Sequence, residues 1–173
     1  PTASGKTLIA EIAMLHAILS KKGKAVYIVP LKALASEKFH EFKTRYKNIK
    51  VALSIGDIDS SDTFLENYDL IITVSEKLDS IIRHRSPWIN YIHCVIVDEI
   101  HLLNDPSRGP TLEIVITILR RLLKKAQFIG LSATIGNPSE LAEWLDAKLI
   151  MDSWRPIELK KGISSSGQIE FIQ

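Results

Sequence analysis

Two adjacent acids follow a strand pattern in the middle of the chain. Residues 92–97 form an uncharged and mostly β-branched run, and Asp98 and Glu99 come directly after it. Such a run is typical of a central strand that is covered on both faces. Ligands of open α/β sheets bind beyond the carboxyl ends of the strands, so the pair predicts a metal ligand and a proton acceptor. A surface turn of two acids would give the same pattern.

The first seven residues, PTASGKT, have the composition of a phosphate-binding loop. Such a loop uses small residues so that backbone N–H groups can face phosphate oxygens, and it ends in Gly-Lys-Ser/Thr at the start of a helix. A GKT triplet also arises by chance, so the prediction depends on the acids at 98 and 99. The launching strand would precede Pro1, and we therefore interpret the chain as part of a longer protein. The predicted ATP-binding residues are Thr2, Ala3, Ser4, Gly5, Lys6 and Thr7.

If the loop and the two acids lie at neighbouring strand ends, they make one hydrolytic site. Lys6 would place a positive charge on the β- and γ-phosphates. The Thr7 hydroxyl and the Asp98 carboxylate would bind Mg²⁺, which prefers oxygen ligands and keeps several waters. Glu99 would orient and deprotonate the attacking water. The predicted cofactors are therefore ATP and Mg²⁺, and the predicted catalytic residues are Lys6 and Glu99.

Composition limits the classes of protein to consider. A chain of 173 residues with 46% hydrophobic content can form one globular domain with a core. A net charge of +2 is too small to indicate nucleic-acid binding by itself. There is no run long enough for a membrane span, no signal peptide and only one cysteine, Cys94. We therefore expect a cytoplasmic protein without disulfides.

Strand and helix patterns alternate at least five times, which predicts an α/β fold: a doubly wound, mainly parallel sheet with helices on both faces. The predicted strands are 25–30, 51–55, 68–74, 92–97, 128–131 and 148–151. The predicted helices are 7–22, 34–46, 76–84, 111–125 and 138–145, and residues 102–110 are predicted to be a loop. We assign residues 1–153 to one domain and residues 154–173 to an edge strand or a linker toward another domain.

Five segments occur in the order of the helicase motifs I, Ia, Ib, II and III. They are PTASGKT, PLKALASEK at 30–38, TVSEK at 73–77, DEIH at 98–101 and LSAT at 131–134. Together they resemble superfamily-two helicases. The segments DEIHLLNDPSRGPTLE, GDIDSSD and WRPIEL are similar to the Ski-two-like branch, and most similar to archaeal DNA-repair helicases related to the polymerase-theta helicase. The resemblance covers nearly the whole chain and implies a RecA-like P-loop NTPase domain that lacks its N-terminal strand.

The resemblance also implies roles that composition does not indicate. The residues that would contact the nucleic-acid backbone are Pro30, Lys32, Ser75 and Lys77. The residues that would couple the nucleotide state to nucleic-acid binding are His101, Ser132 and Thr134. Contacts to phosphates position a strand without reading its sequence. Lys32 could instead be an ordinary exposed lysine, His101 could be structural, and the serine and threonine could cap a helix together with Asn137.

The function implied is that of an ATP-dependent DNA helicase motor acting on branched DNA in repair and replication, in archaeal cytoplasm or nucleoid. Its partners would be single-stranded and forked DNA and a second RecA-like domain that carries an arginine finger. Without that finger the transition-state charge is uncompensated, which lowers the rate by about 10³–10⁵, so we expect the 173 residues alone to hydrolyse ATP poorly. A motor that moves on RNA and a nucleotide-binding scaffold without productive hydrolysis are the alternatives.

Overall fold

A five-stranded parallel sheet forms the centre of the computed structural model, which describes residues 5–56, 62–133, 136–152, 161–165 and 168–172. Its strands are β1 (Lys24–Val29), β2 (Val51–Ser54), β3 (Leu70–Val74), β4 (Ile92–Val97) and β5 (Gln127–Gly130). Their order across the sheet is β2-β3-β1-β4-β5, and every neighbouring pair is parallel. The chain adds strands on both sides of β1, as the predicted doubly wound topology requires.

Five α-helices accompany these strands in the described part of the chain: α1 (Lys6–Leu19), α2 (Lys32–Arg45), α3 (Ser75–Arg83), α4 (Gly109–Leu122) and α5 (Pro138–Trp144). Three short 3₁₀ helices lie at Thr63–Asn67, Pro87–Tyr91 and Ile100–Asn104. None of the described helices has the length and apolar character needed to cross a bilayer.

The side chains of each central strand alternate between two hydrophobic cores, because successive residues of a strand point to opposite faces. Tyr27 of β1 and Ile96 of β4 belong to the core that α1 and α2 cover. Ile28 and Val97 belong to the core that α3 and α4 cover. Burial on both faces explains why β1 and β4 are apolar along nearly their whole length.

Helix α1 runs antiparallel to the strands. Only residues 20–23 join its end to the start of β1, so the end of the helix lies beside the amino edge of the sheet. Its 14 residues extend about 21 Å, and the six residues of β1 extend about 20 Å. Because Ala10 and Met14 of α1 pack in the same core as Ile96, the helix begins near the carboxyl edge of the sheet.

Two predictions of local structure were incomplete or wrong. Residues 148–151 form no strand; Ile150 and Met151 are 77% and 72% exposed, since an apolar run becomes a strand only beside a pairing partner. The loop predicted at 102–110 includes part of the 3₁₀ helix Ile100–Asn104. The assignment of residues 154–173 to an edge strand or a linker stays a prediction; within this range β6 (Lys161–Ser165) and β7 (Gln168–Ile172) pair with each other in a separate antiparallel sheet.

Candidate functional site

The carboxyl edge of the sheet gathers the ends of four strands that carry predicted site residues. Pro30 follows β1, Ser75 follows β3, Asp98 follows β4 and Ser132 lies two residues after β5. The Asp98 amide donates to the Ile28 carbonyl oxygen over 2.8 Å, so the ladder between β4 and β1 continues one residue beyond the strand. The Leu131 amide donates to Val97 O over 2.9 Å in the same way. Parallel strands therefore bring these separate segments to one edge.

Two donors hold the carboxylate of Asp98. The Tyr27 hydroxyl lies 3.2 Å from Oδ2, and the amide of Glu99 lies 3.0 Å from Oδ1. Burial, the negative charge of Asp98 and the hydrogen bond to it all raise the pKa of Tyr27, so the phenol remains a protonated donor. An oriented, half-buried carboxylate with remaining lone pairs is suited to bind a metal ion.

Glu99 turns away from the direction of β4. Its backbone is left-handed, with φ 50° and ψ 46°, a conformation that is uncommon outside glycine, asparagine and aspartate. Its Oε2 lies 3.2 Å from His101 Nδ1, which makes an ion pair only when the ring is protonated. That contact lacks hydrogen-bond geometry. The two adjacent acids thus have different surroundings, as separate metal-binding and proton-accepting roles require.

The end of the predicted phosphate loop is the start of α1. Gly5 precedes the helix with φ 81°, which side chains rarely adopt, and its carbonyl oxygen accepts the Leu8 amide over 3.0 Å. Lys6 and Thr7 are the first two residues of the helix, and both are half-buried. Thr2, Ala3 and Ser4 lie outside the described residues. The first turn of α1 lies on the side of the sheet where Tyr27 holds Asp98.

The donors near this edge fit magnesium better than a metal that needs a protein cage. No three His, Cys, Asp or Glu side chains of the described residues gather into a metal-binding group. Mg²⁺ needs few protein ligands, because it retains waters and shares phosphate oxygens. One hydroxyl from Thr7 and one carboxylate from Asp98 would satisfy that requirement.

The four predicted nucleic-acid residues have different environments. Pro30 and Ser75 border one crevice at the carboxyl edge, and Lys32 is exposed at the first turn of α2. Lys77 is different, because its side chain is 1% exposed and its Nζ lies 3.1 Å from Asp62 Oδ2. In this arrangement the ammonium of Lys77 faces the largely buried carboxylate of Asp62, whereas Lys32 is exposed to solvent.

The segments predicted to couple the two functions are in contact. The Ile100 amide donates to the Leu131 carbonyl oxygen over 2.8 Å, which places the residues after β4 beside those after β5. His101 Nδ1 and Ser132 Oγ are buried polar atoms without a hydrogen-bond partner among the described residues. A cavity of about 170 Å³ separates His101 from α5. Thr134 lies outside the described residues.

Sequence reasoning missed Tyr27, Asp62 and Arg108. Tyr27 lies in an apolar run, and only the pairing of β1 with β4 brings it to Asp98. Asp62 lies in a polar loop, and its partner, Lys77, lies on α3. Arg108 follows a Pro-Ser pair in a loop and borders the same crevice as Ser75. The position of Tyr27 within β1 indicates the face of the sheet to which its side chain points. Combined with the strand order, that position is the signal that could have identified Tyr27.

Comparison with known proteins identifies the family of the chain. The family model described as DEAD/DEAH box helicase matches residues 1–141. The chain is 58% identical to the ATP-dependent DNA helicase Hel308 of Methanocaldococcus jannaschii, over 99% of the chain and 15% of that relative. It is 58% and 57% identical to the proteins of the same name from Pyrococcus abyssi and Pyrococcus horikoshii, in each case over 96% of the chain and 23% of the relative. The chain thus spans less than a quarter of the length of these relatives.

Proposed function

Because the chain belongs to the DEAD/DEAH box helicase family, we propose that it is the first motor domain of an ATP-dependent DNA helicase. The observation that carries the proposal is the common edge at which α1 begins and β4 ends. The first turn of the helix and the Asp98 carboxylate lie on the same side of the sheet. Relatives that carry the name ATP-dependent DNA helicase match almost the whole chain, which supports DNA as the nucleic acid.

In this function Lys6 and the small residues from Thr2 to Gly5 hold the ATP phosphates. Thr7 and Asp98 hold Mg²⁺, which would neutralise charge on the phosphates when it is bound. Glu99 accepts a proton from the attacking water, and its turn away from β4 keeps its carboxylate separate from that of Asp98.

Pro30, Lys32 and Ser75 hold the backbone of the DNA strand at the same edge. His101, Ser132 and Thr134 relay the nucleotide state to this contact. A second RecA-like domain contributes the arginine finger, and branched DNA in the archaeal cytoplasm is the substrate. Lys77 has another role, because its ammonium is buried against Asp62; it supports the nucleic-acid edge without touching a phosphate.

Substitutions at the proposed site test the function in the full-length protein. Lys6→Ala should abolish ATP binding and hydrolysis, because the phosphates lose their cation. Glu99→Gln should retain binding of Mg-ATP but lower DNA-stimulated hydrolysis by about 10²–10⁴, the contribution of a general base. Glu113→Gln, which changes an exposed carboxylate on α4, is the control and should hydrolyse ATP normally.

Hydrolysis by Glu99→Gln at the wild-type rate would refute the assignment of the base. Stimulation of the wild-type protein by single-stranded RNA but not by single-stranded DNA would favour the RNA motor. Nucleotide binding without hydrolysis under either condition would favour the scaffold.

A further inference from the structure

The carboxyl edge of the sheet is divided between two faces. Tyr27 holds Asp98 on the face that α1 and α2 cover. On the opposite face a narrow crevice opens where the ends of β1 and β3 meet the start of α4. Pro30, Ser75 and Arg108 border this crevice, and Asp98 lines it as well. Two residues with proposed contacts to DNA therefore lie beside an arginine that has no assigned role.

A rigid loop holds the backbone of Arg108 in place. Asp105 Oδ1 accepts hydrogen bonds from the Ser107 hydroxyl at 2.7 Å, the Ser107 amide at 2.9 Å and the Arg108 amide at 3.0 Å. These hydrogen bonds lower the pKa of Asp105, which remains ionised as an acceptor. The geometry of the loop thus fixes where the arginine side chain leaves the backbone.

Gly109 allows α4 to begin directly after the arginine. A Cβ atom at this position would lie 2.2 Å from the Leu103 carbonyl oxygen, far inside van der Waals contact. The Gly109 amide also donates to the Asp105 carbonyl oxygen over 2.8 Å. Close packing of the loop against the 3₁₀ helix therefore requires glycine at position 109, directly after Arg108.

The guanidinium of Arg108 has no strong partner in the part of the chain that the structure describes. The side chain is half-buried, yet among the described residues it makes no hydrogen bond and no ion pair with a carboxylate. Its charge contributes to the lowered pKa of Asp105 only through space. A planar, permanently charged group with five donors matches the oxygens of a phosphate.

We propose that Arg108 binds a backbone phosphate of the DNA strand that the domain holds at Pro30 and Ser75. This inference rests on the proposed function and adds a residue that the helicase motifs did not indicate. A nucleotide phosphate offers the same chemistry, but the first turn of α1 lies on the opposite face of the sheet. A contact to a DNA phosphate supplies affinity without sequence preference.

The test measures binding of fluorescein-labelled oligo(dT) to the full-length protein over a series of salt concentrations. Arg108→Ala should weaken binding about tenfold at low salt, as expected for loss of a charge-assisted hydrogen bond. The slope of log K against log salt should decrease in magnitude by about 0.7, because one fewer phosphate is neutralised on a single strand. Arg108→Lys should retain the salt slope while losing part of the affinity, since it keeps the charge but not the bidentate geometry.

Arg121→Ala is the matched control, because it removes the same charge from the exposed far end of α4. It should leave both the affinity and the slope unchanged. A wild-type salt slope in Arg108→Ala would overturn the inference. So would weaker binding of a fluorescent ADP analogue by Arg108→Ala without DNA, because that result would identify a nucleotide phosphate as the ligand. If the wild-type protein failed to bind oligo(dT), the proposed function itself would fail.

Discussion

Replacing Lys77 with methionine should mainly lower the stability of the domain, and its effect on DNA affinity should be secondary. The motif TVSEK implies that this lysine contacts the nucleic-acid backbone. In the structure its side chain is 1% exposed, and its Nζ lies 3.1 Å from Asp62 Oδ2. The same Oδ2 accepts the Ser54 hydroxyl at 2.5 Å. The pair thus ties α3 to the end of β2 and to the residue that precedes the 3₁₀ helix Thr63–Asn67.

The magnitude follows from the burial of both partners. Removing one member of a buried ion pair leaves the other charge without its counter-charge and costs about 3–5 kcal/mol. For a domain of this size each kcal/mol lowers the melting temperature by about 2–4 °C, so Lys77→Met should lower it by roughly 6–20 °C. Changing Asp62 to asparagine in the same protein should recover part of this loss, because the carboxylate that has lost the Lys77 charge becomes a neutral amide. Asparagine also tolerates the left-handed backbone of residue 62, which has a φ of 44°.

Thermal unfolding of the full-length protein and oligo(dT) binding at several salt concentrations measure the two effects separately. Arg83→Met is the matched control on the same helix, because Arg83 pairs with Asp79 while its side chain is 67% exposed. This variant should unfold close to the wild-type temperature. If Lys77→Met melted like the wild type but bound DNA with a smaller salt slope, the lysine would contact a phosphate and the reasoning from burial would be wrong.

Two further predictions concern Tyr27 at the candidate site and Gly109 at the start of α4. Tyr27→Phe removes one of the two hydrogen-bond donors to Asp98. It should weaken Mn²⁺ binding in the presence of ADP about tenfold, because a contact that orients a metal ligand is lost. Electron paramagnetic resonance measures the Mn²⁺ affinity, and an unchanged affinity would contradict the prediction. Gly109→Ala places a Cβ atom 2.2 Å from Leu103 O and should lower stability by about 1–3 kcal/mol in thermal unfolding. Gly136→Ala, at a glycine with open space around it, is its control, and equal melting temperatures for both variants would refute the packing explanation.

Much of the fold follows from patterns that a single sequence carries. The uncharged runs at β1, β3 and β4 predict buried central strands, and alternation with helical patterns predicts parallel pairing. Since all carboxyl ends of a parallel sheet meet at one edge, the sequence also indicates that Pro30, Ser75 and Asp98 lie on the same side of the molecule.

Contacts between distant segments could not be predicted in this way. The pairing of Lys77 with Asp62 depends on how a polar loop returns to α3, and no periodic pattern encodes that path. The hydrogen bond from Tyr27 to Asp98 requires β1 and β4 to be neighbours, although two strands intervene in the chain. Residues 148–151 show the opposite error, because local composition predicted a strand where none of the described strands pairs with it.

The alternation of side chains along β1 gives a physical reason for coupling between the two proposed sites. Tyr27 lies on the face that α1 and α2 cover and holds the carboxylate of Asp98, while Pro30 borders the crevice at the end of β1. The Asp98 amide also donates to Ile28 O over 2.8 Å, so the end of β4 is tied to β1 through a side chain and through the backbone. In a close-packed sheet a displacement of Asp98 is therefore expected to move the end of β1. Two neighbouring strands would then connect the proposed nucleotide site to the proposed DNA site, in parallel with the proposed relay through His101 and Ser132.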